Sequence, residues 1–258
     1  MPNWVIGMYA IKGTKKNVLN FLNEGLKNSG IEPKENCEEA FDALLENAKT
    51  KTSNLLILSS DGRKGDKFEN PADITYKKGL TLDTFRPMPD TFLMYDTTNY
   101  SKTLEEVIKK QLKEYGVVGW YEYGTDVLRG TKWDADLENV KLDVSKDEDV
   151  ATFRFCCDTA WSVPTLWLEW VKKTFKVNVL LCVHEESNAF NFYGEIDMTK
   201  EDFGSLNCGE GKPTEEDFED EHDYWDALYD WETSQVEEMQ SNFSSYVEEF
   251  EIDTDFEE

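Results

Sequence analysis

The chain has 258 residues and a net charge of −27 at pH 7, and 39% of its residues are hydrophobic. Its 8 Trp, 11 Tyr and 15 Phe can fill a packed core, which excludes global disorder. It contains no run of about 18 apolar residues, and its first residues do not form a basic segment followed by an apolar one. We therefore expect no membrane partner, no secretory signal and a cytoplasmic location.

The first predicted elements are a strand, two helices and a second strand. Residues 3–12 form the first strand, and the helix after it has one apolar face and ends at Gly30. Residues 37–48 form the second helix, 54–59 a short buried strand, and 60–70 a polar loop. The loop and its surroundings carry a small basic patch: Arg63, Lys64, Lys67 and Lys77.

The following elements are two helices and three strands. Residues 103–115 have the apolar stripe of an amphipathic helix. Residues 150–158, 177–183 and 190–198 are predicted strands, and a helix from Pro164 to about residue 175 lies between the first two.

This element order predicts an α+β fold, with an antiparallel ferredoxin-like sheet and helices packed on one face. We assign this body to residues 1–205, with an insertion that contains the polar loop at about 60–149. Residues 210–258 are assigned to an acidic helical extension packed on the body.

The extension carries most of the charge imbalance. Residues 210–258 contain 20 acidic residues and one basic residue, which leaves a net of only −8 for residues 1–209. Apolar residues recur in it at spacings of seven, three, eight, three, four, three and four: Phe218, Trp225, Leu228, Val236, Met239, Phe243, Tyr246 and Phe250. A solvated tail needs no such stripe, so we expect an amphipathic helix with its apolar face on the body and its carboxylates in solvent.

The cysteines show no metal-binding spacing. They are Cys37, Cys156, Cys157, Cys182 and Cys208. Cys156 and Cys157 are neighbours on a strand and therefore point to opposite faces. We predict reduced thiols that fill core space, with no metal and no cofactor.

Four separated motifs carry a resemblance to a known family. They are residues 1–4 (Met-Pro-Asn-Trp), 85–89 (Phe-Arg-Pro-Met-Pro), 130–135 (Gly-Thr-Lys-Trp-Asp-Ala) and 159–164 (Thr-Ala-Trp-Ser-Val-Pro). Because the four motifs occur in this order, the chain resembles the plasmid-, island- and phage-borne proteins with a YubB-type ferredoxin-like domain. The resemblance implies a mobile-element or phage origin, a bacterial host and the ferredoxin-like sheet, and it implies no activity. The chain departs from the family pattern at Val5, where a Cys is usual, and at Val163, where a Pro is usual.

Most residues of these motifs are interpreted as architecture. We expect the Trp4 indole to be buried and its N–H bonded, and Trp133 and Trp161 to pack similarly at loop junctions. Ser162 is a predicted helix N-cap. Lys132 and Asp134 are a secondary candidate binding site, and a turn held by Asp134 is the favoured interpretation.

Catalytic patterns are weak. His184 is followed by two glutamates and could form a His–carboxylate pair, but a solvent-capped histidine at a strand end is the favoured interpretation. The spacings of phosphate-binding and calcium-binding loops are absent. We therefore predict no enzymatic activity.

The favoured hypothesis is a binding protein of a phage or mobile element that engages a basic host protein through its acidic surface, as an anti-defence inhibitor or nucleic-acid mimic. Ten carboxylates are its candidate site residues: Glu215, Glu216, Asp217, Glu219, Asp220, Asp223, Asp226, Asp230, Glu237 and Glu238. Direct nucleic-acid binding conflicts with the charge. One alternative is a nucleic-acid-handling accessory protein that binds through the sheet face or the Arg63-Lys64 loop, with the acidic helix as an autoinhibitory cover. The other is an acidic face that only keeps the protein in solution.

Overall fold

The computed structural model describes residues 3–50, 52–53, 77–89, 92, 102–186, 191–196, 212–218 and 220–252. The predicted strand at 54–59, the polar loop at 60–70 and Glu219 lie outside the described residues.

The strands are β1 (Trp4–Gly13), β2 (Thr52–Ser53), β3 (Lys77–Lys78), β4 (Leu80–Thr81), β5 (Asp136–Val144), β6 (Ala151–Ala160), β7 (Asn178–Glu185) and β8 (Asn191–Glu195). The helices are α1 (Lys15–Asn28), α2 (Cys37–Thr50), α3 (Leu82–Phe85), α4 (Lys102–Tyr115), α5 (Trp120–Tyr123), α6 (Thr165–Phe175) and α7 (Glu221–Glu249). A π-helical turn, Gly124–Leu128, follows α5, and a 3-10 turn, Glu215–Asp217, precedes α7.

The main sheet confirms the predicted α+β class. Its six strands have the order β4-β5-β6-β1-β7-β8, and all pairings are antiparallel. The four strands β5-β6-β1-β7, with α1 and α6 as the two crossovers, have the arrangement of a ferredoxin-like sheet. β2 and β3 form a separate two-stranded sheet.

One ferredoxin strand, β5, is not predicted from the sequence. Its register with β6 shifts between Glu138 and Lys141, and Asn139 has a φ of 50°. An extra residue of this kind interrupts the two-residue alternation. Leu137 and Val140 therefore do not have the even spacing that identifies a half-buried strand, and the segment was assigned to the insertion.

The two faces of β1 are covered by different layers. Its odd-numbered residues, including Val5, Tyr9 and Ile11, are buried in the main core with α1, α2 and α6. Its even-numbered residues point to the opposite side, which we call the open face of the sheet. α7 packs on this open face rather than with the other helices, and it places Met239, Phe243 and Val247 against Ala10, Leu180 and Cys182. Full burial contributes about 1.5–3 kcal/mol for each such helix side chain, before the entropy of ordering the helix is subtracted.

Two local predictions are wrong. The N-cap of α6 is Pro164, not Ser162, because the Ser162 hydroxyl donates to the Gly130 carbonyl at 2.6 Å and is used to hold that loop. The Trp4 side chain is 39% exposed and Trp161 is 55% exposed, although both were expected to pack inside. The deeply buried indole is Trp167, whose Nε1 donates to the Leu82 carbonyl at 3.0 Å.

Candidate functional site

The start of α7 is stabilised by acidic residues. Asp220 is its N-cap, and Asp220 Oδ1 accepts a hydrogen bond from the His222 N–H at 2.7 Å. Glu221 and Asp223 lie in the first turn, where carboxylates interact favourably with the free N–H groups and the helix dipole. The high acidic content at this end therefore also supports the helix locally.

The 3-10 turn before α7 uses one of its carboxylates in the same way. The Thr214 hydroxyl and the Thr214 N–H donate to Asp217 Oδ2 at 2.7 and 3.1 Å. These bonds, the hydroxyl first, lower the pKa of Asp217. Glu215 and Glu216 are exposed beside it. Among the candidate site residues, Asp217 and Asp220 thus have a structural task, whereas Glu215 and Glu216 show none.

Four candidate carboxylates form a row along α7. Asp223, Asp226, Asp230 and Glu237, here called the carboxylate row, lie within about 60° of one another around the helix axis at 3.6 residues per turn. Around the helix axis, the buried residues Met239, Phe243 and Val247 lie about 170°, 130° and 90° from the middle of the row. At a rise of about 1.5 Å per residue the row is about 21 Å long. Glu238 is also exposed and lies on its flank.

The carboxylate row has no cationic counterpart among the described residues. All four side chains are exposed, and no described lysine or arginine forms an ion pair with them. Asp226 has one weak contact, with His222 Nδ1 at 4.0 Å. Neighbouring like charges along a helix are mutually unfavourable, so the row is a surface whose electrostatic energy falls when a cationic group approaches.

Lys12 of β1 holds the other end of α7. Its Nζ donates to the Val247, Glu248 and Phe250 carbonyls at 2.7, 3.3 and 2.8 Å. The last turn of α7 contains no basic residue, so the sheet supplies the cation that stabilises this C-terminus. Burial, and then the charge of Arg154, lowers the pKa of Lys12. Sequence reasoning did not find this contact, because a single lysine inside a strand gives no signal of a distant helix end.

The predicted apolar stripe packs over only part of its length. All buried residues of α7 lie in its C-terminal half. In the N-terminal half Trp225 is 53% exposed, so the expectation that the stripe packs on the body throughout is wrong for this residue. Trp231 forms a cation–π contact with Lys212, whose Nζ lies 5.8 Å from the ring centroid.

Asp134 is a structural carboxylate of the secondary candidate site. Asp134 Oδ1 accepts hydrogen bonds from the Asp83 and Ala135 N–H groups, both at 3.0 Å. It thereby holds the turn that leads into β5. Lys132, its neighbour in the candidate site, lies between two rings, with Nζ 5.2 Å from the Tyr121 centroid and 4.9 Å from the Trp133 centroid.

A buried arginine and two carboxylates lie behind this turn. Arg129 Nε and Nη2 donate to Asp83 Oδ1 and Oδ2 at 2.8 and 2.7 Å, which makes a bidentate pair. Because Asp83 already balances this arginine, a second negative charge at Asp134 is disfavoured. Burial, and then the charge of Asp83, raises the pKa of Asp134 to about 8. The cluster connects α3, the π-helical turn and the start of β5.

His184 does not form the His–carboxylate pair that was considered. Its Nδ1 is hydrogen-bonded to Asn191 Oδ1. Glu185 is buried on the opposite face of β7, and Glu186 Oε2 accepts from the Trp4 N–H at 3.1 Å. The arrangement places no carboxylate of this pair in position to orient the imidazole.

The nearest sequence match to an RNA-binding aromatic strand, residues 153–155 of β6, does not place its rings on the open face. Phe153 and Phe155 of β6 are buried on the helix-covered face. Arg154, between them, points to the open face and forms an ion pair with Asp143 at 3.2 Å. It lines a groove of 820 Å³ between the β5–β6 end of the sheet and the C-terminus of α7.

Within the described residues, none of the helices is both long and apolar enough to cross a membrane. The same residues contain no group of three or more His, Cys, Asp or Glu side chains arranged to hold a metal ion.

The comparisons with known proteins give one structural similarity. No protein-family model matches the chain, and no curated protein does. The crystal structure of the protein api92 from Yersinia pseudotuberculosis, of the family model DUF1281, is similar at 10% identity and a TM-score of 0.33. That similarity covers 81% of this chain and 99% of the other.

Proposed function

We propose that the chain is a non-enzymatic binding protein of a phage or mobile element, and that its acidic surface engages a basic host protein in the bacterial cytoplasm. The observation that carries the proposal is the carboxylate row, which is exposed along one side of α7 and forms no ion pair with a described lysine or arginine. The C-terminal half of the same helix is anchored to the sheet. The acidic residues are thus displayed in a fixed order.

The spacing of the row suits a protein surface that normally holds nucleic acid. Asp223, Asp226 and Asp230 follow one another at about 4.5 and 6 Å along the helix axis, at a rise of about 1.5 Å per residue. Over its length of about 21 Å the row has a mean spacing of about 7 Å. Phosphates of one DNA strand follow at about 3.4 Å along the duplex axis, so the row has about half the linear charge density of one strand. A basic channel that neutralises phosphates could accept such a row, and the chain would then inhibit a nucleic-acid-binding host factor.

The experiment is capture of partners from host lysate at about 0.15 M and about 0.5 M salt, because attraction between exposed charges is screened at the higher concentration. The test variant neutralises the row: Asp223→Asn, Asp226→Asn, Asp230→Asn and Glu237→Gln. The control variant has the same change in net charge, made at scattered exposed positions: Glu32→Gln, Glu35→Gln, Glu106→Gln and Glu114→Gln.

The proposal predicts that capture is lost in the test variant and at high salt, and is retained in the control variant at low salt. Partners recovered equally at both salt concentrations, or equally by the two variants, would contradict it. The second result would indicate that the acidic face only contributes to solubility.

A second candidate function is supported by the position of α7. It packs on the open face, opposite the layer formed by α1, α2 and α6, and so covers a surface that many ferredoxin-like proteins use for ligands. In this candidate, the chain handles nucleic acid and α7 is an autoinhibitory cover. Removal of residues 210–258 separates the two functions, because a gain of DNA or RNA binding supports the cover and a loss of protein capture supports the acidic surface. Phe243→Asp undocks the helix without deleting it and serves as the second variant.

A further inference from the structure

The open face of β1 continues beyond the part that α7 covers. The side chains of Trp4, Ile6, Met8, Ala10 and Lys12 all point to this face, because alternate residues of a strand share one side. Met8 and Ala10 pack under α7, and Lys12 bonds to its C-terminus. Trp4 is 39% exposed and Ile6 is 41% exposed. The apolar stripe of one strand is therefore half covered and half exposed.

A third exposed apolar residue, Trp161, follows the end of β6. The Trp161 N–H donates to the Asn3 carbonyl at 2.8 Å, which places the end of β6 beside the start of β1. Trp161 has a φ of 71°, a backbone region that favours Gly or Asn. The indole is 55% exposed, so burial in this chain does not offset the backbone strain. Folding alone gives no reason for a tryptophan at this position.

Two carboxylates lie beside the exposed apolar residues. Asp158 of β6 is directly opposite Ile6 in the strand register, with His184 of β7 on the other side of Ile6. Glu138 of β5 is opposite Cys156, and so on the same face, diagonal to Asp158. Both side chains are exposed, and neither forms an ion pair with a described lysine or arginine. Partial burial, and then the charge of Glu138, raises the pKa of Asp158.

We propose that Trp4, Ile6, Asp158 and Glu138, here called the sheet-end patch, form a second interaction surface beside Trp161, and that this surface binds a protein segment with an arginine or lysine beside an apolar side chain. The cationic group lies between Asp158 and Glu138, and the apolar side chain packs on Ile6 and Trp4.

Two features of the sheet-end patch favour this occupant. Tryptophan is the residue most enriched at the centre of protein interfaces, where a large ring buries much area for little lost side-chain entropy. Two neighbouring carboxylates repel a phosphate backbone and an anionic lipid surface, and they attract a cation. The Trp4 ring contacts Trp133, with centroids 6.2 Å apart, and Lys132 lies on the far side of the patch from the carboxylates. Apolar residues with carboxylates along one side fit a basic, partly apolar peptide, and this inference does not depend on the function of α7.

The probe is a short, end-blocked, fluorescent peptide of alternating arginine and leucine. Two further peptides test its chemistry, one with glutamate in place of arginine and one with serine in place of leucine. Binding is measured by fluorescence anisotropy on full-length protein that carries the four neutralising changes in the carboxylate row, so that attraction to α7 does not contribute. Asp158→Asn and Ile6→Thr are then added singly. Both positions are exposed, and Ile6→Thr keeps a β-branched residue in the strand.

The arginine–leucine peptide is expected to bind more tightly than both control peptides, and each single substitution is expected to weaken it by about tenfold. Equal binding of the glutamate peptide, or unchanged affinity in both substituted proteins, would overturn the proposal. The test of the carboxylate row uses different residues and a different measurement. Either proposal can therefore be refuted without affecting the other.

Discussion

The contact between Lys12 and the end of α7 gives the most detailed prediction. Lys12 is 9% exposed. Lys12→Met keeps most of the aliphatic stem and removes the three hydrogen bonds to the carbonyls of Val247, Glu248 and Phe250. Hydrogen bonds from a charged group contribute about 1.5–3 kcal/mol each, and a cation at a helix C-terminus up to about 2 kcal/mol. Two of the three bonds are only partly buried, so water replaces part of the loss. The burial that lowers the pKa of Lys12 also reduces the net contribution of its charge.

We therefore expect the substitution to favour detachment of α7 by about 2 kcal/mol, which is roughly a thirtyfold increase in the detached population. The measurement is amide hydrogen exchange, in which protection depends on the free energy of local opening. Amides of residues 239–250 should lose protection by this factor. Amides of β1 and β6, which are held in the main core, should change much less.

Lys146→Met is the matched control, because Lys146 is an exposed lysine in the β5–β6 connection. It should leave exchange at residues 239–250 unchanged. Equal protection of those residues in Lys12→Met and the wild-type chain would refute the idea that this lysine secures the helix. A uniform loss of protection over the whole sheet would show that Lys12 supports the body rather than the docking of α7.

Three further predictions concern the loop behind α3. Asp134 has a pKa of about 8 in the folded chain against about 3.8 when unfolded, so its contribution to stability is complete below about pH 4 and is lost as the pH rises through about 8. Asp134→Asn should remove this slope from the free energy of unfolding measured by denaturant titration across that range, and an unchanged slope would contradict the assignment. Arg129→Met leaves Asp83 buried without its cation and should lower the free energy of unfolding by about 3–5 kcal/mol. A loss under about 1 kcal/mol would show that water solvates the Asp83 carboxylate in place of the arginine. Gly130→Ala should lower the free energy of unfolding by at least about 1 kcal/mol, because Gly130 has a φ of 85° and an added Cβ would lie 2.9 Å from Thr165 Oγ1. A melting temperature equal to that of the wild type would argue against a fixed turn.

The elements that were predicted from the sequence are those with uninterrupted periodicity. β1, α1 and α6 have apolar residues at constant spacing, and their observed bounds differ from the predicted ones by only a few residues. β5 was missed because its bulge moves Leu137 and Val140 out of a two-residue alternation. Local pattern therefore identifies an element only where the backbone geometry is regular.

The exposed tryptophans show a second reason why prediction failed. A tryptophan is expected inside because of its large apolar area, and the sequence does not distinguish Trp167, which is buried, from Trp4 and Trp161, which are not. The difference is a tertiary property, because Trp167 lies in the main core, whereas Trp4 lies on the open face beyond the part that α7 covers. The carboxylate row was predictable in part, since its spacing is opposite in phase to the apolar stripe. Its anchor, Lys12, lies 235 residues from Val247 along the chain and was not predictable.

α7 is a single helix of 29 residues, and all its buried residues lie in its second half. A rotation of the helix about this packed half would therefore move its first half furthest. Met239 is the first buried residue and lies about 27 Å from the N-terminus of the helix, at a rise of about 1.5 Å per residue. A tilt of about 10° at that pivot moves the tip by about 5 Å while the distances between carboxylates on the helix stay the same. A change in the orientation of the helix would thus move all the charges together, and their pattern would be preserved.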